Sequence, residues 1–154
     1  MQLGSWNIQG KPIEQGLTYL QAAVHDFDVL ALQEISVPVS LDAGMHEFLQ
    51  FTEHGYKVLV AYPKGCFRAV AICMDVDTIQ DVSNVWVGYA HVSALVNIRG
   101  GPPALVISAH LPHSRRSYED FADALHFLEW DLQRWPDSTP ILLAGDLNYS
   151  LSGH

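Results

Sequence analysis

The sequence has few basic side chains: only 8 Lys and Arg residues stand against 17 Asp and Glu residues, for a formal net charge of −9 over 154 residues. Proteins that hold nucleic acid through their own surface need clustered Lys and Arg at the phosphates. The composition therefore argues against that class. It is compatible with an enzyme whose carboxylates collect a divalent cation, and equally with an ordinary acidic soluble protein.

Long apolar runs are also missing. No segment approaches the roughly 20 apolar residues of a membrane span, and the first residues lack the basic and apolar segments of a signal peptide. We therefore expect an intracellular protein, cytoplasmic or nuclear, without a membrane span. Of the two cysteines, Cys66 and Cys73, neither has a partner at zinc-like spacing, and we expect both thiols to be reduced and partly buried.

The composition does not indicate disorder, since 49% of the residues are apolar and 16% are charged. The sequence also shows no repeat or linker. Alternating or unbroken apolar segments predict strands, and apolar recurrence every three or four residues predicts helices. The predicted strands are 2–8, 29–32, 56–62, 69–74, 82–98 (as one strand or two), 104–109 and 140–144. The predicted helices are 13–26, 41–53 and 117–134.

The helix over 117–134 has Ser117 as a candidate cap and a proline just beyond its end. Its expected buried stripe consists of Phe121, Leu125, Leu128 and Leu132. Many strands follow one another directly along the chain, which simple βαβ alternation does not explain. We therefore predict one α/β (α+β) unit over residues 1–154, with two mixed β-sheets packed face to face and helices outside them, a four-layer sandwich.

Five polar residues stand at or just past the carboxyl ends of predicted strands: Asn7, Glu34, His110, Asp146 and Asn148. Strand ends that meet at one sheet edge are where functional sites are usually built. Each residue also has an ordinary explanation. Asn7 could cap a turn, Glu34 could be a solvated strand end, and His110 could be a satisfied core histidine. Asp146 and Asn148 could form an Asx-type turn.

The order of four motifs along the chain changes this balance: Trp6-Asn7, Gln33-Glu34, His110-Leu111-Pro112 and Gly145-Asp146-Leu147-Asn148. In these motifs the sequence resembles the endonuclease/exonuclease/phosphatase superfamily over about residues 3–150. That superfamily includes deoxyribonuclease-like enzymes, abasic-site and retrotransposon endonucleases, and some phosphoinositide phosphatases. The Asp-Leu-Asn element in its strand context is the most specific part of the resemblance.

The resemblance implies a role for each of the five residues. Glu34 would bind Mg²⁺ (or Mn²⁺), assisted by Asn7 directly or through water. His110 would hydrogen-bond a phosphate oxygen and Asn148 would hold the phosphate. Asp146 would orient or deprotonate the attacking water, or bind a metal. Mg²⁺ prefers oxygen ligands and keeps several waters, so one or two carboxylates suffice.

The resemblance also implies a substrate class, a phosphodiester, with DNA as the leading expectation and a retroelement endonuclease as one source. Phosphoinositide, sphingomyelin or nucleotide-type phosphoesters stay open, because the motifs are shared among these enzymes. Arg115 and Arg116 follow the His-Leu-Pro segment and could meet a phosphate backbone. A solvated loop pair is the alternative explanation.

One element of the superfamily's site is missing from the sequence. That site includes a later Asp-His pair within a Ser-Asp-His-like motif, whereas this chain ends at Ser150-Leu151-Ser152-Gly153-His154. We therefore expect an incomplete domain that lacks its carboxy-terminal strands and is inactive alone. Its uncovered sheet should cause poor solubility, self-association or a shifted fold. The complete parent domain would be active. An inert product used only for protein contacts is the remaining alternative.

Overall fold

The computed structural model describes residues 2–23, 27–113 and 117–148, and nine strands and two α-helices lie within them. The strands are β1 Leu3–Asn7, β2 Val29–Ile35, β3 His46–Phe51, β4 Tyr56–Ala61, β5 Ala69–Asp75, β6 Ile79–Val87, β7 His91–Ile98, β8 Ala104–His110 and β9 Ile141–Asp146. The helices are α1 Ile13–Ala23 and α2 Tyr118–Gln133. The predicted strand segment 82–98 is thus divided into two strands, β6 and β7.

The strands form two mixed sheets. The first has the order β1-β2-β5-β4-β3 and the second the order β6-β7-β8-β9. Two neighbouring pairs are parallel, β1 with β2 and β8 with β9, and the other pairs are antiparallel. Parallel neighbours place their carboxyl ends at the same edge of a sheet, so each sheet presents two strand ends together.

The apolar side chains fill the spaces between four layers. Ile13 and Leu17 of α1 pack on the outer face of the first sheet. The inner faces of the two sheets meet in a second cluster, which includes Val29, Ile72, Val92 and Val106. Leu128 of α2 packs on Leu105 and Ile107 of the second sheet. These contacts confirm the prediction of two face-to-face mixed sheets with helices outside them.

The prediction of a helix over 41–53 is wrong. This segment contains β3 and a short 3₁₀ turn, Thr52–His54. Exposure alternates along β3, and each of its residues pairs with β4. Gly44, with φ of +86°, donates its N–H to the Tyr62 carbonyl at 2.6 Å and opens the hairpin before the strand begins. Pairing across the hairpin overrides a helical pattern that this glycine already interrupts.

Helix α1 begins where it was predicted and is described as far as Ala23; the predicted residues 24–26 lie outside the described part of the chain. The buried Ile13 and Leu17 alternate with exposed Glu14 and Gln15, as expected for an amphipathic helix on a sheet. Across residues 2–23, 27–113 and 117–148, no helix has both the length and the apolar character needed to cross a membrane.

Helix α2 confirms the predicted segment, but its buried face is shifted. Ser117 has an extended backbone and its side chain accepts the Asp120 N–H, which caps the helix as predicted. Leu125 of the expected stripe is 43% exposed, whereas Ala124 and Asp131 are buried. Ala124 packs in a cluster with Ala90 and Leu111. The position of Asp131 is explained by polar partners beneath it.

Asp131 is held by a buried polar cluster between α2 and the second sheet. Its Oδ2 lies 3.2 Å from His91 Nε2 and accepts a hydrogen bond from Ser93 Oγ at 2.5 Å, while Oδ1 lies 3.4 Å from Arg134 Nη1. Burial alone would raise the pKa of the Asp131 carboxyl. The hydrogen bonds from His91 and Ser93 and the positive charges outweigh burial, so that pKa lies below its ordinary value.

Cys66 and Cys73 are free and buried, and their burial confirms the expectation of core positions. Burial raises the pKa of the Cys66 thiol to about 12 and raises that of Cys73 as well. Because the thiolate is the reactive form, neither sulfur is suited to nucleophilic chemistry near neutral pH.

Candidate active site

Four strand ends, two from each sheet, bring together four of the residues singled out in the sequence. Asn7 ends β1, and its Nδ2 donates to Glu34 Oε1 at 2.9 Å and to Asp146 Oδ2 at 3.2 Å. The His110 Nε2 atom lies 3.5 Å from the same Glu34 oxygen. Residues up to 139 positions apart in the chain thus share one cleft between the two sheets.

Glu34 reaches this cleft through a β-bulge. Leu32 pairs with Ala71 and Ile35 pairs with Ala69, so two residues of β2 face a single residue of β5. Glu34 itself has φ of +53°. Leu32 and Ile35 both pack on the α1 side of the sheet, although regular alternation over three residues would place them on opposite sides. The extra residue in the bulge is Glu34, whose carboxylate lies on the side of the second sheet.

Asp146 is delivered to the cleft by a close approach of β9 to β8. The preceding Gly145 has φ of +153°, and a β-carbon on it would lie 2.0 Å from the Ala109 carbonyl oxygen. Only glycine fits this position without displacing a strand. The Asp146 Oδ1 atom also accepts the Asn148 N–H at 3.1 Å. The Asx-type turn considered from the sequence is therefore present, and it coexists with the cluster.

The two asparagines turn their amides in definite directions. Asn7 Oδ1 accepts the Gln9 N–H at 3.0 Å, so its nitrogen faces the carboxylates, and an amide nitrogen is no ligand for a cation. A metal contact by Asn7 stays a prediction that requires the amide to turn over. Asn148 Nδ2 donates to the Leu111 carbonyl at 2.8 Å and ties the Asp-Leu-Asn turn to the His-Leu-Pro segment. Its phosphate contact also stays a prediction.

The donor set suits a divalent cation. Glu34, His110 and Asp146 can each present one ligand atom, and these atoms lie within 4.8 Å of one another. The His110 and Glu34 side chains are 19% and 33% exposed, so the cluster is half-buried but accessible. Two carboxylates this close repel each other, and the Asn7 amide between them carries no net charge. A hard cation such as Mg²⁺ or Mn²⁺ would relieve that repulsion through oxygen ligands.

A layer of polar side chains behind the cluster was not predicted. Gln33 Nε2 donates to Ser108 Oγ at 3.4 Å, Ser5 Oγ donates to Gln33 Oε1 at 3.2 Å, and Ser108 Oγ donates to the Leu32 carbonyl at 3.3 Å. Ser5 and Ser108 stand two positions before the site residues of their own strands. That spacing puts them on the same face and was the signal available in the sequence.

Arg68 is a second residue that the sequence did not single out. It is exposed, and a β-carbon on Gly10 would lie 3.1 Å from its guanidinium carbon. The Gly10 N–H in turn donates to the Glu34 carbonyl at 2.6 Å. A cationic side chain therefore lies against the loop that follows β1. Arg115 and Arg116, the basic pair expected at a phosphate, lie outside the described residues.

A protein-family model matches most of the chain. The model of the endonuclease/exonuclease/phosphatase family matches residues 4–153. No curated protein sequence matches the chain.

Solved structures share the fold. A functionally unknown conserved protein from Enterococcus faecalis has a TM-score of 0.66 and 16% identity, over 99% of this chain and 68% of that one. The human Nocturnin catalytic domain with bound sulfate has a TM-score of 0.67 and 16% identity, over 96% and 63%. D. rerio TDP2 complexed with a single-strand DNA product has a TM-score of 0.59 and 14% identity, over 95% and 60%. The chain thus spans between 60% and 68% of the length of these three chains.

Proposed function

Because this chain belongs to the endonuclease/exonuclease/phosphatase family, we propose that it is the part of a phosphodiesterase that binds Mg²⁺ (or Mn²⁺) at the cluster of Glu34, Asp146 and His110, with Glu34 as a direct ligand. The observation that carries the proposal is the convergence of these three side chains from both sheets within 4.8 Å. A bound cation would supply charge neutralisation at the scissile phosphate and a more acidic water.

The remaining residues would position the phosphate and the water. An imidazole N–H of His110 would donate to a phosphate oxygen and stabilise the negative charge that develops there. The Asp146 carboxylate would either orient or deprotonate the attacking water, or complete the metal site. Arg68 and Asn148 would contact the phosphate from the rim of the cleft. The Arg68 guanidinium is a cationic donor and the Asn148 amide is a neutral one, so neither repels an anionic substrate.

DNA is the substrate we propose for the hydrolytic reaction, with endonuclease activity in the complete parent domain. The single-strand DNA product bound by D. rerio TDP2, a protein of the same fold, supports a nucleic-acid substrate. The charge of −9 favours a second candidate, a smaller phosphoester, because 8 basic residues offer little grip on a long duplex. A direct comparison of substrates separates these two candidates.

Cation binding is tested first, on the chain itself, by titration calorimetry with Mn²⁺ and Mg²⁺. The wild type should bind, and Glu34→Gln should raise the Kd by at least about tenfold. Removing even a residue that only supports a metal ligand weakens metal binding by that much. Glu129→Gln is the matched control, because Glu129 is exposed on α2 and outside the cluster. A wild type that binds neither ion, or a Glu34→Gln variant that binds equally well, would contradict the proposal.

Hydrolysis is tested next with supercoiled plasmid, a single-stranded oligonucleotide and a small chromogenic phosphodiester. We expect any cleavage to need the added metal, to stop with EDTA and to be lost in Glu34→Gln prepared in parallel. Cleavage of the small diester alone would refute the DNA proposal and favour the second candidate. Cation binding without cleavage of any substrate would support the metal site and show that this chain does not hydrolyse these substrates by itself.

A further inference from the structure

We propose that Gln33 is a positioning residue for the candidate site: its buried amide, bonded to both sheets, fixes the bulge that turns the Glu34 carboxylate toward His110 and Asp146. The inference rests on the proposed function only where it concerns cation affinity. The part that concerns the conformation of the bulge can be tested without any metal.

The first step concerns the direction of two consecutive side chains. The Gln33 amide contacts Ser108 and the Glu34 carboxylate contacts His110, so both side chains approach the same strand, β8. Neighbouring residues of a regular strand point to opposite faces. Without the bulge, Glu34 would share the face of Leu32, the apolar side that packs against α1. The metal-binding geometry therefore depends on an irregular backbone at this residue.

The second step concerns what holds that backbone. A φ of +53° is unfavourable for glutamate, so the surroundings must stabilise it. The side-chain Oε1 of Gln33 accepts a hydrogen bond from Ser5 Oγ of β1, and its Nε2 donates to Ser108 Oγ of β8. Ser108 then donates to the carbonyl of Leu32, the residue at the start of the bulge. The hydrogen bonds therefore run from one sheet to the other and back to the irregular segment.

The third step concerns burial. The side chains of Gln33 and Ser108 are 1% and 0% exposed, so a lost hydrogen bond there is not replaced by bulk water. The strands that carry this layer, β1, β2 and β8, also carry Asn7, Glu34 and His110. Gln33 is the residue directly before Glu34. Its side-chain amide thus sets how far apart these strand ends lie.

The conformational part is tested by amide hydrogen exchange in Gln33→Leu and Ser108→Ala. The N–H groups of Ile8 and Gly10 bond to the carbonyls of Gln33 and Glu34, at 3.0 and 2.6 Å, and report directly on the bulge. We expect both to exchange at least about tenfold faster in Gln33→Leu, and faster to a smaller degree in Ser108→Ala. The Tyr62 N–H, which bonds to the Met45 carbonyl at the opposite edge of the first sheet, should not change.

The functional part is tested by the Mn²⁺ Kd of the same variants. We expect a rise of about tenfold in Gln33→Leu, the usual effect of removing an outer support of a metal site. Ser108→Ala should also raise the Mn²⁺ Kd. The double variant should have the same Kd as Gln33→Leu, because both changes break one network. Ser93→Ala is the matched control: it also removes a buried hydroxyl from the second sheet, but Ser93 bonds to Asp131 beneath α2. It should leave the Mn²⁺ Kd unchanged.

The outcomes are distinguishable. If the wild type does not bind Mn²⁺, the proposed function fails, and the exchange of the Ile8 and Gly10 amides still decides whether Gln33 holds the bulge. If the wild type binds but Gln33→Leu and Ser108→Ala bind equally well, the positioning role is overturned and the proposed function stands. A rise in Kd of the same size in Ser93→Ala would also overturn it, because the effect would then follow from general loss of stability.

Discussion

Gly145→Ala should damage this protein far more than glycine substitutions elsewhere, because two separate costs meet at Gly145. Its φ of +153° is unfavourable for any residue with a β-carbon. That β-carbon would also lie 2.0 Å from the Ala109 carbonyl oxygen, and β9 would have to move by more than about 1 Å to reach the 3.4 Å of ordinary contact. Ala109 and Gly145 are register partners in the parallel β8–β9 pair, so the strands themselves must separate.

The magnitude follows from these two costs. A residue forced into a sparsely populated backbone region loses about 1–3 kcal/mol, and overpacking against a neighbour costs about 1–3 kcal/mol more. We therefore expect Gly145→Ala to lower the free energy of unfolding by about 2–6 kcal/mol. Because Asp146 follows directly and pairs opposite His110, the same displacement should weaken cation binding.

The assay is urea unfolding followed by tryptophan fluorescence, with Gly55→Ala and Gly100→Ala as controls. These two glycines have φ of +72° and +74°, and no atom lies within 4 Å of a β-carbon built on either. They share the backbone cost without the collision, so each should lose only about 1–3 kcal/mol and keep the wild-type Mn²⁺ Kd. If Gly145→Ala loses no more than the controls, or keeps its cation affinity, the close approach of β9 to β8 is not what places Asp146.

Three further predictions concern α2 and the core thiols. Leu128→Ala should lower the free energy of unfolding by about 2–5 kcal/mol, whereas Leu125→Ala should cost under about 1 kcal/mol, since only Leu128 is buried; equal losses in a thermal melt would refute the observed helix face. Asp131→Asn should be less stable than the wild type at neutral pH, and the difference in unfolding free energy should shrink below about pH 4. Ionised Asp131 stabilises the fold above its ordinary pKa, and that contribution is lost as the pH falls through the lowered pKa. A difference that stays constant down to pH 2 in urea titrations would contradict this. Cys66 and Cys73 should react with a disulfide reagent at pH 8 only after urea is added, since burial raises both pKa values; prompt labelling of the folded chain would show that burial does not protect them.

Much of the fold could be predicted because most of the chain is regular. Helix α2 begins within one residue of its predicted start, since Ser117 has the chemistry of a cap and uses it. The strands that deliver Glu34 and His110 were visible as apolar segments that end in a polar residue. The segment 41–53 failed because apolar spacing over a short stretch fits a helix and a hairpin strand alike, and only the partner strand β4 decides between them.

The part of the site that could not be predicted is the part where the backbone is irregular. Among the described residues, four that are not glycine have positive φ, and three of them, Gln9, Glu34 and Asn148, lie in the site or beside it. Periodicity assumes a regular backbone, so it assigns Glu34 to the apolar α1 face when applied without interruption. One trace of the bulge does exist in the sequence: apolar residues at 30, 32 and 35 change their spacing from two to three across Gln33-Glu34. These unfavourable backbone conformations lie where the cation would bind, so the fold loses some stability there in order to orient the side chains of the site. A shift in strand periodicity beside a carboxylate is therefore a useful sequence signal for such sites.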